Sequence, residues 1–595
     1  MSTSTTSRLS IHQLTWYCFC LIFPASALIN GIVPLMGEHG LYAFGGMLSI
    51  RAAAFLIPLS LAGACWGYSI LRGQTQLRSN PFHWILLILA AFIGLATVFA
   101  AEQTVAVFGS RTNGQGALIW IAYLLCAFLA SQLISSRKRM RQIMWVIIGT
   151  GTTVALLALG EVSGIITTGL PQPDWMLARG IATMYTSDHL GTFLVVPAIL
   201  AIGLALTSKD KEFYMALACT LPLVYSLVFT MTRGAWVGAL TGVIVLSILL
   251  LVRSDLPSTK DGWKRIAILW VGITVVLLSF LTVFGSTEFT QRFEHAVSDF
   301  HTQGQALAGR GTLWNISSEL IAGSPLVGLG ADNVIYASGQ SVNMQSLERE
   351  GATLSLGSPH NVYLELALNF GIGFALLMAG LIIGLCIKSV RSLLRKQSKN
   401  NELAVWLAAL IALAVALITA TINVAIMALS FCLLGFLLRT CDHKDQYRKL
   451  QKQILAGAVI VLSAGLLIYG SIEGASALRG NAHLRSPHAT IERSFAALDI
   501  APWRKEPLTH LLQSSGALLM RDELTVEEMY RILNFIIEKD SLSPEPHLAM
   551  AQLLIDFEDD CTRAQVHVDR ALELRPSSAA AHELQVRIKA VTQAK

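Results

Sequence analysis

Long apolar runs alternate with short polar connections along most of this chain. A helix crossing a bilayer needs about 17–25 mostly apolar residues. Thirteen stretches reach that length, near 14–36, 52–71, 81–101, 117–135, 143–163, 188–207, 213–231, 234–252, 266–285, 361–387, 403–420, 423–438 and 454–472. The alternation stops twice. Residues 286–360 form one polar connection of about 75 residues, and the chain beyond 472 shifts to a soluble composition. The pattern predicts an all-α polytopic membrane protein of about 12–13 transmembrane helices with a large outer loop and a helical C-terminal tail. The expected domains are spans 1–9 within 1–285, the loop at 286–360, spans 10–13 within 361–472, and a soluble tail at 473–595.

Composition supports the membrane assignment: 53% of the 595 residues are hydrophobic and 14% charged, where a soluble domain carries roughly 25% charged residues. The placement of charge says more than the net value. Basic residues gather in alternate connections, at Arg72 and Arg78, Arg137 to Arg141, Lys209 and Lys211, Arg253 to Arg265, Lys388 to Lys399, and Arg439 to Lys452. Positive-inside bias makes these connections and the N-terminus cytoplasmic, and the 286–360 loop faces outward. The first span lacks the basic n-region and small-residue cleavage site of a signal peptide. An odd number of spans puts the tail outside; an even number puts it in the cytoplasm. Most cysteines fall inside spans and Cys561 stands alone in the tail, so no disulfide framework or zinc spacing emerges. No metal, cofactor or nucleic-acid partner is expected.

The outward connections up to residue 360 hold Arg51, Arg111, Arg179, Arg233, Arg292, Arg310 and Arg349, and no lysine. A guanidinium presents a planar fork of donors that grips a phosphate or carboxylate at two points. A bound oxyanion and ordinary ion pairs are the two readings of this bias. Context favours the oxyanion at four positions. Arg111 lies in the turn-rich Phe108-Gly-Ser-Arg-Thr-Asn-Gly114, Arg179 just before span 6, Arg233 in the minimal link before span 8, and Arg310 in Gly309-Arg-Gly-Thr-Leu-Trp314. A charge so close to hydrocarbon as Arg233 is costly and usually functional.

After Arg310 the loop reads as a helix over 312–322, a break at Gly323-Ser-Pro325, and a glycine turn at Leu326-Val-Gly-Leu-Gly330. It ends in Ser358-Pro-His360-Asn361-Val-Tyr363, at the outer start of span 10. A helix N-terminus attracts anions and favours neutral imidazole, the form that accepts a proton. His360 therefore reads either as a general base beside an anion cradle or, with Asn361, as a helix cap.

Arg310-x3-Trp314, Pro325-Leu-Val-Gly-Leu-Gly330, His360-Asn-x-Tyr-Leu364 and Gly371-x-Gly373 together resemble the signature of the O-antigen ligase superfamily. That superfamily comprises the ligases that join O-antigen to lipid A–core, the Wzy-type polymerases and the bacterial protein O-oligosaccharyltransferases. Arg179…His189-Leu and Thr232-Arg-Gly-Ala-Trp236 resemble its upstream motifs in order, and the likeness spans roughly residues 10–440. The resemblance implies a bacterial inner-membrane enzyme that moves a preassembled glycan from undecaprenyl diphosphate to an acceptor hydroxyl at the periplasmic face. It implies no metal, so arginines must neutralise the leaving diphosphate. Arg179, Arg233 and Arg310 take that role, with Arg111 a further candidate. His360 becomes the general base, and a single displacement inverts the anomeric centre. Asn361, Tyr363, Trp314, Gly328 and Gly330 are expected to cap and support, and His189 reads as structural.

In the tail, Pro546 to Leu554, Ala564 to Pro576 and Ala579 to His582 show a helix–turn–helix spacing that resembles tetratricopeptide repeats. Such a tail recruits a protein partner or acceptor, or simply caps the membrane domain. Three alternatives stand beside ligase-type transfer. A Wzy-type polymerase shares these residues and differs in its acceptor. A polysaccharide transporter is disfavoured because its spans would carry buried acids. A membrane scaffold leaves the outward arginines unexplained.

Overall fold

The computed structural model describes residues 10–35, 44–110, 113–166, 180–184, 186–252, 265–268, 270–272, 274–275, 310–339, 341, 357–394, 401–439, 449–479 and 487–594. All regular structure among them is helical. Nine of the described helices are long and apolar enough to cross a membrane, and three shorter apolar helices accompany them. The chain is a multi-pass membrane protein.

The first half holds α1 (Ile11–Leu35), α2 (Phe44–Leu71), α3 (His83–Val98), the short α4 (Gln103–Phe108), α5 (Ala117–Leu133), α6 (Arg137–Val162), α7 (Ser187–Thr207), α8 (Asp210–Phe229) and α9 (Arg233–Val252). The long connection after α9 contributes α10 (Arg310–Gly323) and the single-turn α11 (Val334–Ser338). Then follow α12 (Val362–Phe370), α13 (Ile372–Leu394), α14 (Asn401–Ala416), α15 (Val424–Arg439) and the long α16 (Lys449–Arg479).

Small residues decide the closest packing. A Cβ on Gly238 would lie 2.6 Å from the Ala412 carbonyl oxygen, and one on Gly242 would lie 2.6 Å from the Ala412 side chain. Glycines four apart thus let α9 approach the backbone of α14 and carry Arg233, at the head of α9, against the bundle. α7 is buried almost throughout, the central post of the bundle. Its first turn is set by Thr186, whose hydroxyl accepts from His189 N at 3.1 Å.

The structure corrects one predicted span. The apolar run at 361–387 is two helices, α12 and α13, broken where Gly371 takes φ +85°. Hydropathy is continuous across that point, so the break was invisible to it. The span expected at 266–285 falls mostly outside the described residues; 265–268, 270–272 and 274–275 are helical.

The tail is a row of six helices: α17 (Pro487–Ile500), α18 (Glu506–Leu519), α19 (Val526–Lys539), α20 (Pro544–Phe557), α21 (Cys561–Leu574) and α22 (Ala579–Ala594). Each packs on the next in chain order. Met529, Leu533, Met550, Leu554, Val568 and Ala571 share its core. The row is anchored at the end of α16, where Trp503 Nε1 donates to Glu473 Oε1 at 2.6 Å and Arg504 lies 3.9 Å from the same carboxylate. It also touches the loop that carries α11, where the Tyr336 hydroxyl reaches Asp540 Oδ1 at 3.5 Å; within the tail, Lys505 pairs with the same carboxylate at 3.6 Å. The tail therefore sits at the same end of the bundle as α10 and α11.

Candidate active site

The glycine turn after α10 and the break after α12 are two halves of one clasp. Leu329 N donates to Leu368 O at 2.7 Å, Gly330 N to Asn369 O at 3.1 Å, and Ile372 N to Pro325 O at 2.8 Å. The last carbonyls of α12, orphaned by the end of the helix, are satisfied by the turn. Gly328 and Gly330 both have positive φ, at +69° and +89°. A Cβ on Gly328 would meet the Asn369 backbone at 2.6 Å, and one on Gly371 the Leu326 carbonyl oxygen at 2.3 Å. Backbone on both sides leaves no room for a side chain.

The clasp presents His360. Its backbone is left-handed, φ +51°, a strained conformation for a residue with a side chain. Three contacts hold it. His360 N donates to Ser358 Oγ at 3.3 Å, the Trp314 indole donates to Pro359 O at 3.1 Å, and Asn361 Oδ1 caps α12 by accepting from Tyr363 N and Leu364 N. The Tyr363 hydroxyl donates to Ala414 O at 2.7 Å and ties α12 to α14. Asn361, Tyr363 and Trp314 thus tie the segment around His360 to α10, α12 and α14.

His360 itself is not consumed by capping. Its Nδ1 is buried and has no hydrogen-bond partner among the described residues. Burial pushes its pKa below the ordinary imidazole value, the Arg310 guanidinium pushes it further down, and Asp188 opposes them. The ring is neutral near pH 7 and able to take a proton.

Arg310, at the head of α10, lies 3.7 Å from Asp188 and is one-fifth exposed. Burial lowers its pKa, Asp188 holds it up, and Arg233 lowers it again. Two guanidiniums and one carboxylate therefore share a site beside His360. Arg233 is exposed on this face. Thr232 Oγ1 donates to Asp188 Oδ1 at 3.2 Å, which fixes the carboxylate to the α8–α9 link. The arrangement leaves cationic surface for an oxyanion next to a base.

Arg111 and Arg179 lie outside the described residues, but the segments beside them are tied down. Asp332 Oδ2 accepts from Ser110 N at 2.8 Å and Gln115 N at 2.9 Å, while its Oδ1 accepts from Asn113 Nδ2 at 3.0 Å. Asn333 exchanges hydrogen bonds with the Glu102 backbone at 3.0 and 3.2 Å. After Arg179, Glu161 Oε2 accepts from Ile181 N and Ala182 N, at 3.0 and 2.6 Å. Buried Arg51 donates to Thr183 O. His189 packs at the same end, with Nε2 2.5 Å from Thr421 Oγ1 and, like His360, a buried Nδ1 that has no partner among the described residues.

Sequence reasoning gave no role to Asp188, Asp332, Asn333 or Glu365. Asp188 stands inside a quoted motif, in the first turn of α7, and a lone acid there was the available signal. Asp332 and Asn333 act across more than 200 residues of sequence, which no local pattern reports. Glu365 is buried and accepts from Ser358 Oγ at 2.8 Å, one step behind His360.

Residues 216–379 match a family model described as O-antigen ligase. That stretch of the chain is similar to the O-antigen ligase family. No curated protein matches the chain. The O-antigen ligase match takes in Arg233, Arg310, Trp314, Gly328, Gly330, His360, Asn361 and Tyr363, and stops short of Arg111, Arg179 and the tail. Members of the O-antigen ligase family are glycosyltransferase-type enzymes. The matched stretch runs from mid-α8 to α13 and contains the arginine–histidine cluster described above.

Proposed function

We propose that this protein is a ligase-type glycosyltransferase of the bacterial inner membrane. It moves a preassembled glycan from undecaprenyl diphosphate to an acceptor hydroxyl at the periplasmic face. The observation that carries the reading is a neutral His360 with an unpartnered ring nitrogen beside Arg310 and Arg233.

In this scheme the acceptor hydroxyl gives its proton to His360 as its oxygen attacks the anomeric carbon. The bond from that carbon to the diphosphate oxygen breaks, and the electron pair leaves with the diphosphate. Arg310 and Arg233 neutralise the growing charge, with Arg179 and Arg111 as further donors. One displacement inverts the anomeric configuration. Arg310 releases Asp188 to take the diphosphate, so the ion pair is the resting substitute for the donor. Behind Tyr363, an apolar cavity lined by Trp120, Leu366, Met378, Leu417 and Met427 suits a prenyl chain.

The acceptor separates ligase from polymerase. The tail packs against the outer loop through Tyr336 and Asp540, which favours an acceptor delivered by the tail and so a protein over lipid A–core. Read as a tetratricopeptide-like array, the tail is also where a partner protein docks. The test is transfer by purified protein from undecaprenyl-diphosphate-linked glycan to protein, lipid A–core or growing glycan, with folding of each variant checked. Wild type transfers, whereas His360→Ala and Arg310→Ala fail while remaining folded. The productive acceptor names the subclass. Variants that transfer as well as wild type reduce His360 to a helix cap. Retention at the product linkage, read by NMR, overturns the single displacement.

A further inference from the structure

At the end of the bundle opposite His360, the start of α1, the end of α2, the 74–78 link, the end of α5 and the start of α6 enclose a cavity of about 640 Å³. That lies within the ~300–1,000 Å³ of small-ligand sites. Its lining includes Arg78, Arg139, His12, Gln132, Ser69 and Thr75. Among the described lining residues there is no carboxylate.

The walls are built by hydrogen bonds within the protein. Gln132 holds the Arg78 backbone at two points, accepting from Arg78 N at 3.0 Å and donating to Arg78 O at 3.2 Å. Ser69 Oγ and Thr75 Oγ1 are 2.8 Å apart, and Thr75 Oγ1 lies 3.2 Å from His12 Nδ1. Arg139 donates to Leu133 O at 2.9 Å and lies 5.1 Å from the Trp16 ring centre. Two arginines thus line one polar cavity, Arg78 on a fixed backbone and Arg139 with its guanidinium anchored on Leu133 O and the Trp16 ring.

Positive-inside bias alone places arginines on this face but does not bring two of them to one cavity. Arg72 shows the difference: it is exposed, pairs with Tyr68 by a 2.9 Å hydrogen bond, and does not line the cavity. The cavity opens where apolar helices end and where Tyr17 and Tyr68 are 55% and 43% exposed, as in an interfacial aromatic belt.

We propose that this cavity is a second, non-catalytic binding site for a phosphate oxyanion, taken from the headgroup of an anionic phospholipid or from free phosphate. Guanidinium pairs grip phosphate through charge-assisted hydrogen bonds, and the leaflet at such a face is anionic. The site stands independently of the transferase reading, being at the other end of the molecule.

The test uses the full chain, released from detergent in native mass spectrometry. The probes are phosphatidylglycerol, a phosphate-free neutral glycolipid, and inorganic phosphate. Wild type retains phosphatidylglycerol over the glycolipid. Arg78→Gln and Arg139→Gln each reduce retention about tenfold, as expected for losing roughly 1.4 kcal/mol of charge-assisted bonding. Arg72→Gln, which removes the same charge from the same face, leaves retention unchanged. Arg78→Gln keeps the Gln132 backbone contacts, so the fold survives; Arg139→Lys guards against loss of the Trp16 contact. Phosphate binding that needs Arg78 and Arg139, without lipid retention, assigns the site to the soluble anion. Equal retention of the glycolipid, equal loss in Arg72→Gln, or no loss in either cavity variant overturns the proposal.

Discussion

Two neighbouring parts of the outer loop treat their hydrogen-bonding groups in opposite ways. In the clasp of 325–330 on 368–372, donors and acceptors meet at 2.7–3.1 Å and glycines remove any space for side chains. A few residues away, His360 keeps a buried ring nitrogen without a partner among the described residues, and Arg310 stands 3.7 Å from Asp188. Buried polar groups are normally satisfied, and exceptions call for an explanation. Among the described residues the clasp pairs its groups internally, whereas the His360 ring does not. The glycine pieces of the signature therefore fix where the loop sits, and the arginine–histidine pieces are the ones on which the proposed transfer rests.

The sharpest way to break this distinction is Gly371→Val. A β-branched residue at φ +85°, with Leu326 O 2.3 Å from its Cβ, cannot be accommodated without parting the clasp. The expected outcome is loss of monodisperse protein on size-exclusion chromatography. A well-folded variant with selective loss of transfer would instead put Gly371 in the chemistry.

The second prediction addresses the other half. Arg310→Lys keeps the charge beside Asp188 but loses the two-point fork, so the fold should persist while transfer falls on the order of 100-fold. Thermal melting and initial rates measured on one preparation check both parts. Undiminished transfer would show that Arg310 supplies only charge.

Hydropathy made the all-helical, membrane-spanning architecture legible, because a bilayer demands long apolar runs. The head of α10 was legible too: it begins at Arg310, two residues before the expected start at 312. The break at Gly371 was not, since Phe370 and Ile372 continue the apolar run and only backbone contact with Pro325 explains the kink. The polar supports were hidden for another reason. Asp332 gains its meaning from Ser110, Asn113 and Gln115, which chain topology alone brings near. His360, Arg233 and Arg310 could be named from local context, but the carboxylate that joins Arg310 to the α8–α9 link, Asp188, could not be given a partner before the helices were packed.

Asp332 offers a prediction of intermediate size. Asp332→Ala strands two buried backbone amides, each costing about 1–3 kcal/mol. A lower melting temperature is expected, with faster hydrogen exchange at 109–116 and little change around α14. Asp332→Asn retains one acceptor oxygen and should lie between wild type and Asp332→Ala. Identical melting of all three would detach Asp332 from the support of that loop.

The smallest expected effect bears most directly on the cluster. Asp188 raises the His360 pKa, while burial and Arg310 lower it. A base must be unprotonated to work, so transfer declines as pH falls through the His360 pKa. Removing the carboxylate charge in Asp188→Asn takes away the raising influence, and the acid limb of kcat/KM should move to lower pH. Arg310→Lys keeps a cation in place, so its limb should stay near that of wild type even though its rate is reduced. A rate loss in Asp188→Asn with an unmoved limb would limit Asp188 to holding Arg310 and would locate the titrating base elsewhere. A limb moving upward would contradict the sign of the coupling itself, because no loss of a neighbouring negative charge can make an imidazole easier to protonate.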